Sequence, residues 1–236
     1  MESRLNASGE GTARLRFVAT KTVNRPLRIA FCGSPCHPLA SQRWAHQDAT
    51  RLTAALRAES VWFHSSVPDP ASLPRDLRGQ LGAGLLLPTW KSIHEQARHH
   101  FRVTLPERHA ALATRVQVEP TADGSEPPLE LQQGFSAARW LRAWRAEAVV
   151  AFHPHAPAVG AALASFLLDI PLLLSLDDHD VQNRLDTNRL DPICEALVRQ
   201  ARLTLVQSAA NREQLLHHLG AEFESRILVR THAGLS

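Results

Sequence analysis

From Leu27 to Thr231 the chain alternates short apolar runs with longer stretches of helical spacing, and few architectures accept that pattern. Neighbouring parallel strands cannot be joined by a tight turn. They need a crossover of a dozen or more residues, which a helix supplies and which runs right-handed. The expectation is an α/β fold: a doubly wound parallel sheet with helices on both faces, Rossmann-like.

The runs are readable one by one. "LRIAFCG" is a buried strand ended by Gly33, and "PLASQRWAHQDATRLTAALR" is a helix with Ala45, Ala49, Leu52 and Leu56 on one face. "SVWFHS" is the next strand. Further on, "FSAARWLRAWRAE" carries an apolar stripe of Ala137, Trp140, Leu141 and Trp144, with arginines toward water. Then come the strand "AVVAFHPH", the Ala-rich helix "APAVGAALASFLLD" and the strand "IPLLLSLD". The helix "LDPICEALVRQA" has Pro192 in its first turn, and "RLTLVQS" is a strand. "SAANREQLLHHLG" is a helix capped by Ser208 and stopped by Gly220, and "RILVRTHAG" is the last strand. Residues 1–25 are small and polar and are expected to form a flexible tail. Residues 26–236 are expected to form one domain, with an irregular segment at about 66–132. There "AGLLLP" reads as a strand or a turn before the helix "TWKSIHEQARHH", and "VPDPASLPRDLRGQ" and "VEPTADGSEPPLELQQG" read as loops.

Composition removes several classes of function. Lys+Arg number 26 against 23 Asp+Glu, for a net charge of +3, and no dense basic stripe is present, so no nucleic-acid partner is expected. Three cysteines, an odd and small number, fit a reducing compartment. The C-x₃-C of Cys32 and Cys36 has no second pair, and none of the 13 histidines falls in an HExxH arrangement, so no metal site is expected. No apolar h-region follows the polar first residues, and the longest apolar stretch is interrupted by Asp169 and Pro171. A cytoplasmic protein is expected, in contact with a membrane at most peripherally, through the weakly basic tail or the Arg face of "WLRAWR".

Polarity gathers where strands end. The first strand runs into "CGSPCHPLAS", the strand "AVVAF" into "HPHAP", and the strand "PLLLSL" into "DDHD". Open α/β sheets bind ligands beyond the carboxyl ends of their strands. His37, His153, His155, Asp177, Asp178, His179 and Asp180 are therefore expected on one rim, where imidazole and carboxylate groups can form a general base with an orienting partner. The plainer reading is that the strand ends are solvated and the Asp run caps the following helix or solubilises a loop. There is no GxGxxG after the first strand, no GxxxxGK[ST] and no GxSxG, which disfavours a nucleotide-binding Rossmann dehydrogenase, a P-loop NTPase and an α/β-hydrolase.

The stretch "VVAFHPHAPAVGAALASFLLDIPLLLSLDDHD" resembles the end of the N-terminal domain of family 4 glycosyltransferases, retaining enzymes of GT-B fold. Members often carry a strand, "HxH", an Ala-rich helix and "xIPxxxTxHxxD". They continue with "adavvxxSexxrexLxxxG" and "kixvvxnGvd"; here these are "ARLTLVQSAANREQLLHHLG" and "SRILVRTHAGLS". The opening "LRIAFCGSPCHPLASQRWAHQDATRLTAAL" is similar to the family's first strand and helix. This chain departs in three ways. Asp177 stands where members commonly place His, with His179 close by as a substitute. The Gly-rich first loop is absent. The sequence stops at "THAGLS", where members enter a second, donor-binding Rossmann-like domain.

The resemblance implies the acceptor-binding half of a retaining glycosyltransferase that moves a sugar from a nucleotide-sugar to a glycan or lipid-linked acceptor in polysaccharide assembly. It implies no cofactor and no metal, and inactivity unless a partner chain or a further segment supplies the donor-binding half. Asp177, His179 and Asp180 are then the candidate catalytic residues, and Ser34, His37, Ser41, His153 and His155 the candidate acceptor-binding residues. Two alternatives stand beside it. One is a non-catalytic Rossmann-like binding or scaffold module derived from such an enzyme; the other is a small-molecule enzyme of another α/β family using the His/Asp rim.

Overall fold

The structure, a computed structural model, describes residues 25–33, 43–64, 84–86, 91–121, 124–154, 156–186 and 189–230. In chain order the elements are β1 (Arg28–Cys32), α1 (Arg43–Leu56), β2 (Glu59–His64), β3 (Gly84–Leu86), α2 (Lys91–Thr104), α3 (Pro106–Ala113) and α4 (Leu129–Trp144). After these come β4 (Ala148–Phe152), α5 (Ala156–Leu168), β5 (Leu172–Ser175), α6 (Asp178–Arg184), β6 (Leu185–Asp186) and β7 (Arg189–Leu190). The chain continues with α7 (Pro192–Gln200), β8 (Leu203–Val206), α8 (Ala209–Leu219) and β9 (Ile227–Val229).

Seven strands form one sheet in the order β3-β2-β1-β4-β5-β8-β9, and every described pairing in it is parallel. β1 is flanked by β2, with Arg28 opposite Glu59, and by β4, with Ile29 opposite Ala148. The chain winds outward from β1 to β3 and then returns to lay β4 on the other side of β1. Strand order thus reverses between β1 and β4, the point where such sheets open a crevice at their carboxyl ends. The expected doubly wound sheet is present.

Alternate residues of each strand face opposite sides, and each side has its own core. Ala30, Cys32, Val149, Ala151, Leu172 and Leu174 pack with residues of α4, α5, α7 and α8. Ile29, Phe31, Val150, Phe152 and Leu173 pack with Ala45 and Ala49 of α1, and with Trp44, Leu52 and Leu56 beside them. The apolar face read for α1 is therefore the face it buries. Helices α4 and α5 touch backbone to backbone at Gly134 and Gly160. A Cβ on Gly134 would stand 3.0 Å from the Gly160 carbonyl oxygen, so the contact requires the missing side chain.

Several boundaries differ from the sequence reading. Within about 66–132 the described residues are not irregular throughout, since β3, α2 and α3 lie there. The helix read at "TWKSIHEQARHH" is α2, which runs on to Thr104 with His94, Ala97 and Phe101 on its buried face, and the strand offered for "AGLLLP" is β3; α3 is the element that was not foreseen. Helix α4 begins at Leu129, not near Phe135, because Pro128 occupies its N-cap and Glu130 its first turn. The antiparallel pair β6–β7 has two residues per strand, too short to leave a pattern. The tail at residues 1–24 lies outside the described residues.

Candidate functional site

The site is built where β4 and β5 end. β4 delivers His153, whose φ of 65° is left-handed. Among the described residues the other non-glycine residues with positive φ are Arg57, Arg145 and Asp169, each one residue past a helix end, where that conformation is a common stop. His153 instead follows a strand, and a non-glycine residue held this way outside a helix end is kept there by its surroundings. The His153 backbone N–H donates to the Ser175 carbonyl at 3.1 Å, and the imidazole Nδ1 lies 2.8 Å from Asp180 Oδ2.

β5 leads through Leu176 into Asp177, which caps α6. The Asp180 backbone N–H donates to Asp177 Oδ1 at 2.7 Å, and the Asp177 backbone N–H donates to Asp180 Oδ2 at 3.0 Å. This is a reciprocal capping box with aspartates in both roles. The run "DDHD" follows a buried strand because it starts a helix and, in the same stroke, sets a carboxylate against His153. The remaining two members turn elsewhere. Asp178 Oδ1 accepts from Asn211 Nδ2 at 2.6 Å, and the Asp178 backbone N–H donates to Gln207 Oε1 at 3.1 Å. His179 is exposed.

His153, Asp177 and Asp180 are 7%, 6% and 5% exposed. Two carboxylates this close and this dry cannot both ionise freely. Burial pushes the Asp177 carboxyl above its usual range and the Asp180 charge adds to the push; the Asp180 N–H and the charge of His153, 4.0 Å away, oppose it. An ionised Asp180 accepts, so Nδ1 carries the proton and Nε2 is the basic nitrogen. The arrangement can orient an imidazole and stabilise its protonated form. Ligand atoms of the three residues lie within 4.8 Å of one another, close enough to hold a metal ion. Asp177 Oδ1, Asp180 Oδ2 and Nδ1 are already engaged, so a metal bound through those atoms would displace the helix cap and the Nδ1 bond.

Behind the trio stands an aromatic wall. Trp44 of α1 meets His153 edge-on with ring centres 5.2 Å apart, and meets Phe152 at 5.5 Å; Phe152 stacks on Trp62 at 5.6 Å. Arg230, just past β9, lies over the Trp44 ring at 4.2 Å and pairs with Asp48 of α1 at 2.7 Å.

Of the residues singled out in the sequence, His153, Asp177 and Asp180 come together and His179 does not join them. Ser34, His37, Ser41 and His155 lie outside the described residues. Sequence reasoning missed Trp44, Asp48, Ser175 and Arg230. A cation directly after the last strand was the one available signal, and Trp44 sat in a helix whose apolar face was already accounted for.

No family model and no curated protein matches the sequence. Among solved structures, MurG of Acinetobacter baumannii is similar with 14% identity and a TM-score of 0.48, over 88% of this chain and 46% of that one. HepE of Anabaena, solved in complex with UDP and glucose, is similar with 14% identity and a TM-score of 0.50, over 86% of this chain and 44% of that one. The chain thus spans less than half the length of either. At this identity the likeness is one of fold, and the fold is that of a GT-B glycosyltransferase-like Rossmann domain.

Proposed function

We propose that this chain is the acceptor-binding half of a glycosyltransferase, moving a sugar from a nucleotide-sugar to a glycan or lipid-linked acceptor. The carrying observation is the buried His153–Asp180 pair, 2.8 Å apart, at the carboxyl ends of the strands beside the reversal of strand order. Asp180 holds the imidazole in one tautomer; Nε2 is buried in this structure, and it receives the proton that an acceptor hydroxyl must lose once that acceptor reaches it. Asp177 keeps the helix start, and with it Asp180, in place. His179, exposed on the first turn of α6, reaches toward the transferred sugar. Ser34, His37, Ser41 and His155 complete the acceptor side.

The donor class is supported by the UDP and glucose bound in HepE, which shares the fold. The resemblance to family 4 supports retention at the anomeric carbon and use in polysaccharide assembly. Spanning less than half of either similar structure supports a donor-binding half supplied from elsewhere, by a partner chain or a further segment. Among the described residues no helix is long and apolar enough to cross a membrane. The proposed setting is the cytoplasm, peripheral to the inner membrane face when the acceptor is lipid-linked.

The test is sugar transfer by this chain together with a candidate donor-binding partner, over a panel of nucleotide-sugars. Turnover is expected, with kcat/KM falling on the order of 10²-fold or more in His153→Ala, and with a product of retained configuration. Absence of turnover with every partner, or a His153→Ala variant as fast as the parent, would count against catalysis. A second reading is a binding module without chemistry, favoured by the way His153, Asp177 and Asp180 satisfy one another. Under it, calorimetry shows acceptor fragments binding while no variant at His153 changes any transfer rate.

A further inference from the structure

Arg230 is a buried cation drawn to the edge of this site from the far end of the sheet. Its backbone is fixed by β9, where its N–H donates to the Val206 carbonyl at 2.7 Å. Its side chain is 9% exposed and turns inward. Nη1 meets Asp48 Oδ2 at 2.7 Å, and Nη2 donates to Ser175 Oγ at 3.2 Å and to the Leu176 carbonyl at 3.1 Å. The flat face covers Trp44 at 4.2 Å, and the edge of Trp44 meets the His153 ring at 5.2 Å. One guanidinium thus ties together α1, the end of β5 and the exit of β9, and its contacts with Ser175, Leu176 and Trp44 fall within two residues of Asp177 or on the ring that touches His153.

We propose that Arg230 is a positioning residue for the His153–Asp180 pair, acting through the Trp44 ring and the end of β5. The inference rests on reading that pair as the functional centre. A planar fork that bonds two acceptors while stacking on an indole is a job for arginine and not for lysine, whose ammonium is a point charge on a flexible stem. Holding Trp44 flat beneath the guanidinium sets the wall against which the left-handed His153 must rest. The charge matters separately. Asp48, Asp177 and Asp178 are the carboxylates whose charge Arg230 feels, so its own charge acts back on Asp177, one member of the buried trio.

The experiment uses the full chain, with the His153 ring resonances and the Asp177 carboxyl titration followed by NMR. Arg230→Met is expected to shift the His153 ring signals, because Trp44 loses its cover, and to move the Asp177 titration upward, because a nearby cation is gone. Arg230→Lys keeps the charge and loses the stack. It is expected to shift the His153 signals as Met does while leaving the Asp177 titration near the parent value. Trp44→Leu is expected to reproduce the His153 shifts with Arg230 intact. Unchanged His153 signals in Arg230→Lys overturn the proposal, and that variant decides alone if Arg230→Met does not fold. The readout requires no turnover, so a failed transfer assay leaves it standing and a failed NMR test leaves the transferase reading untouched.

Discussion

Asp177 serves the helix start and strains it at once. Its Oδ1 accepts the Asp180 N–H at 2.7 Å, while burial and the Asp180 charge push its own carboxyl above the usual range. An acid whose pKa is higher in the folded than in the unfolded chain lowers stability wherever it is ionised. The loss is full above the folded pKa and disappears as pH falls toward the unfolded one. Asn caps a helix as well as Asp does. Asp177→Asn is therefore expected to raise stability at pH 7 by about 1 kcal/mol, roughly 2–4 °C in Tm for a chain of this size. The gain should shrink as the pH of the melting buffer is lowered toward 4. Asp180 behaves oppositely, because its Oδ2 receives both the Asp177 N–H and the His153 Nδ1. Asp180→Ala strands two buried donors and is expected to destabilise by about 2–3 kcal/mol, read as a lower midpoint in urea at unchanged slope.

The helices show how a sequence can use a conformation its residues dislike. α1, α4 and α5 are each followed by a non-glycine residue at positive φ: Arg57 at 49°, Arg145 at 59° and Asp169 at 58°. Glycine holds this conformation without the Cβ penalty. Arg145 is exposed, so Arg145→Gly is expected to stabilise by about 0.5–1 kcal/mol in thermal unfolding. Asp169→Gly should gain less, since Asp169 also binds Arg108 at 2.9 Å. These stops were hidden from a sequence reading that looks for glycine past a helix. The cap of α6 was one of two plain readings of four ionisable residues in a row, a solvated loop being the other, and the i,i+3 pairing of Asp177 with Asp180 decides for the cap. By contrast Ser208, whose side chain accepts the Asn211 N–H at 3.2 Å, and Pro192 after the capping Asp191 mark α8 and α7 where the sequence said they would.

At the scale of the molecule, protection should follow the sheet. β1, β4 and β5 are paired on both sides, while β3 and β9 are edges and β6–β7 is a separate two-residue pair. Amide hydrogen exchange is expected to be slowest in β1, β4 and β5 and fastest in β6–β7 and β3. The parallel sheet was legible because its strands are continuous apolar runs separated by helices. The return from β3 to the far side of β1 was not, since nothing in a single run says which neighbour it will take. The site divides likewise. His153, Asp177 and Asp180 could be named from their place at strand ends. That Asp180 and not Asp177 holds the imidazole depends on a contact across 27 residues of chain, which no spacing rule encodes. Arg230, 186 positions after the Trp44 it covers (230 − 44), was further out of reach. That separation has a temporal side. A nascent polypeptide exposes Trp44 early and His153 midway, yet the corner they share stays unfastened until the ribosome has released the arginine at 230. A shortened chain that ends before residue 230 is expected to lack this fastening between α1, the end of β5 and β9.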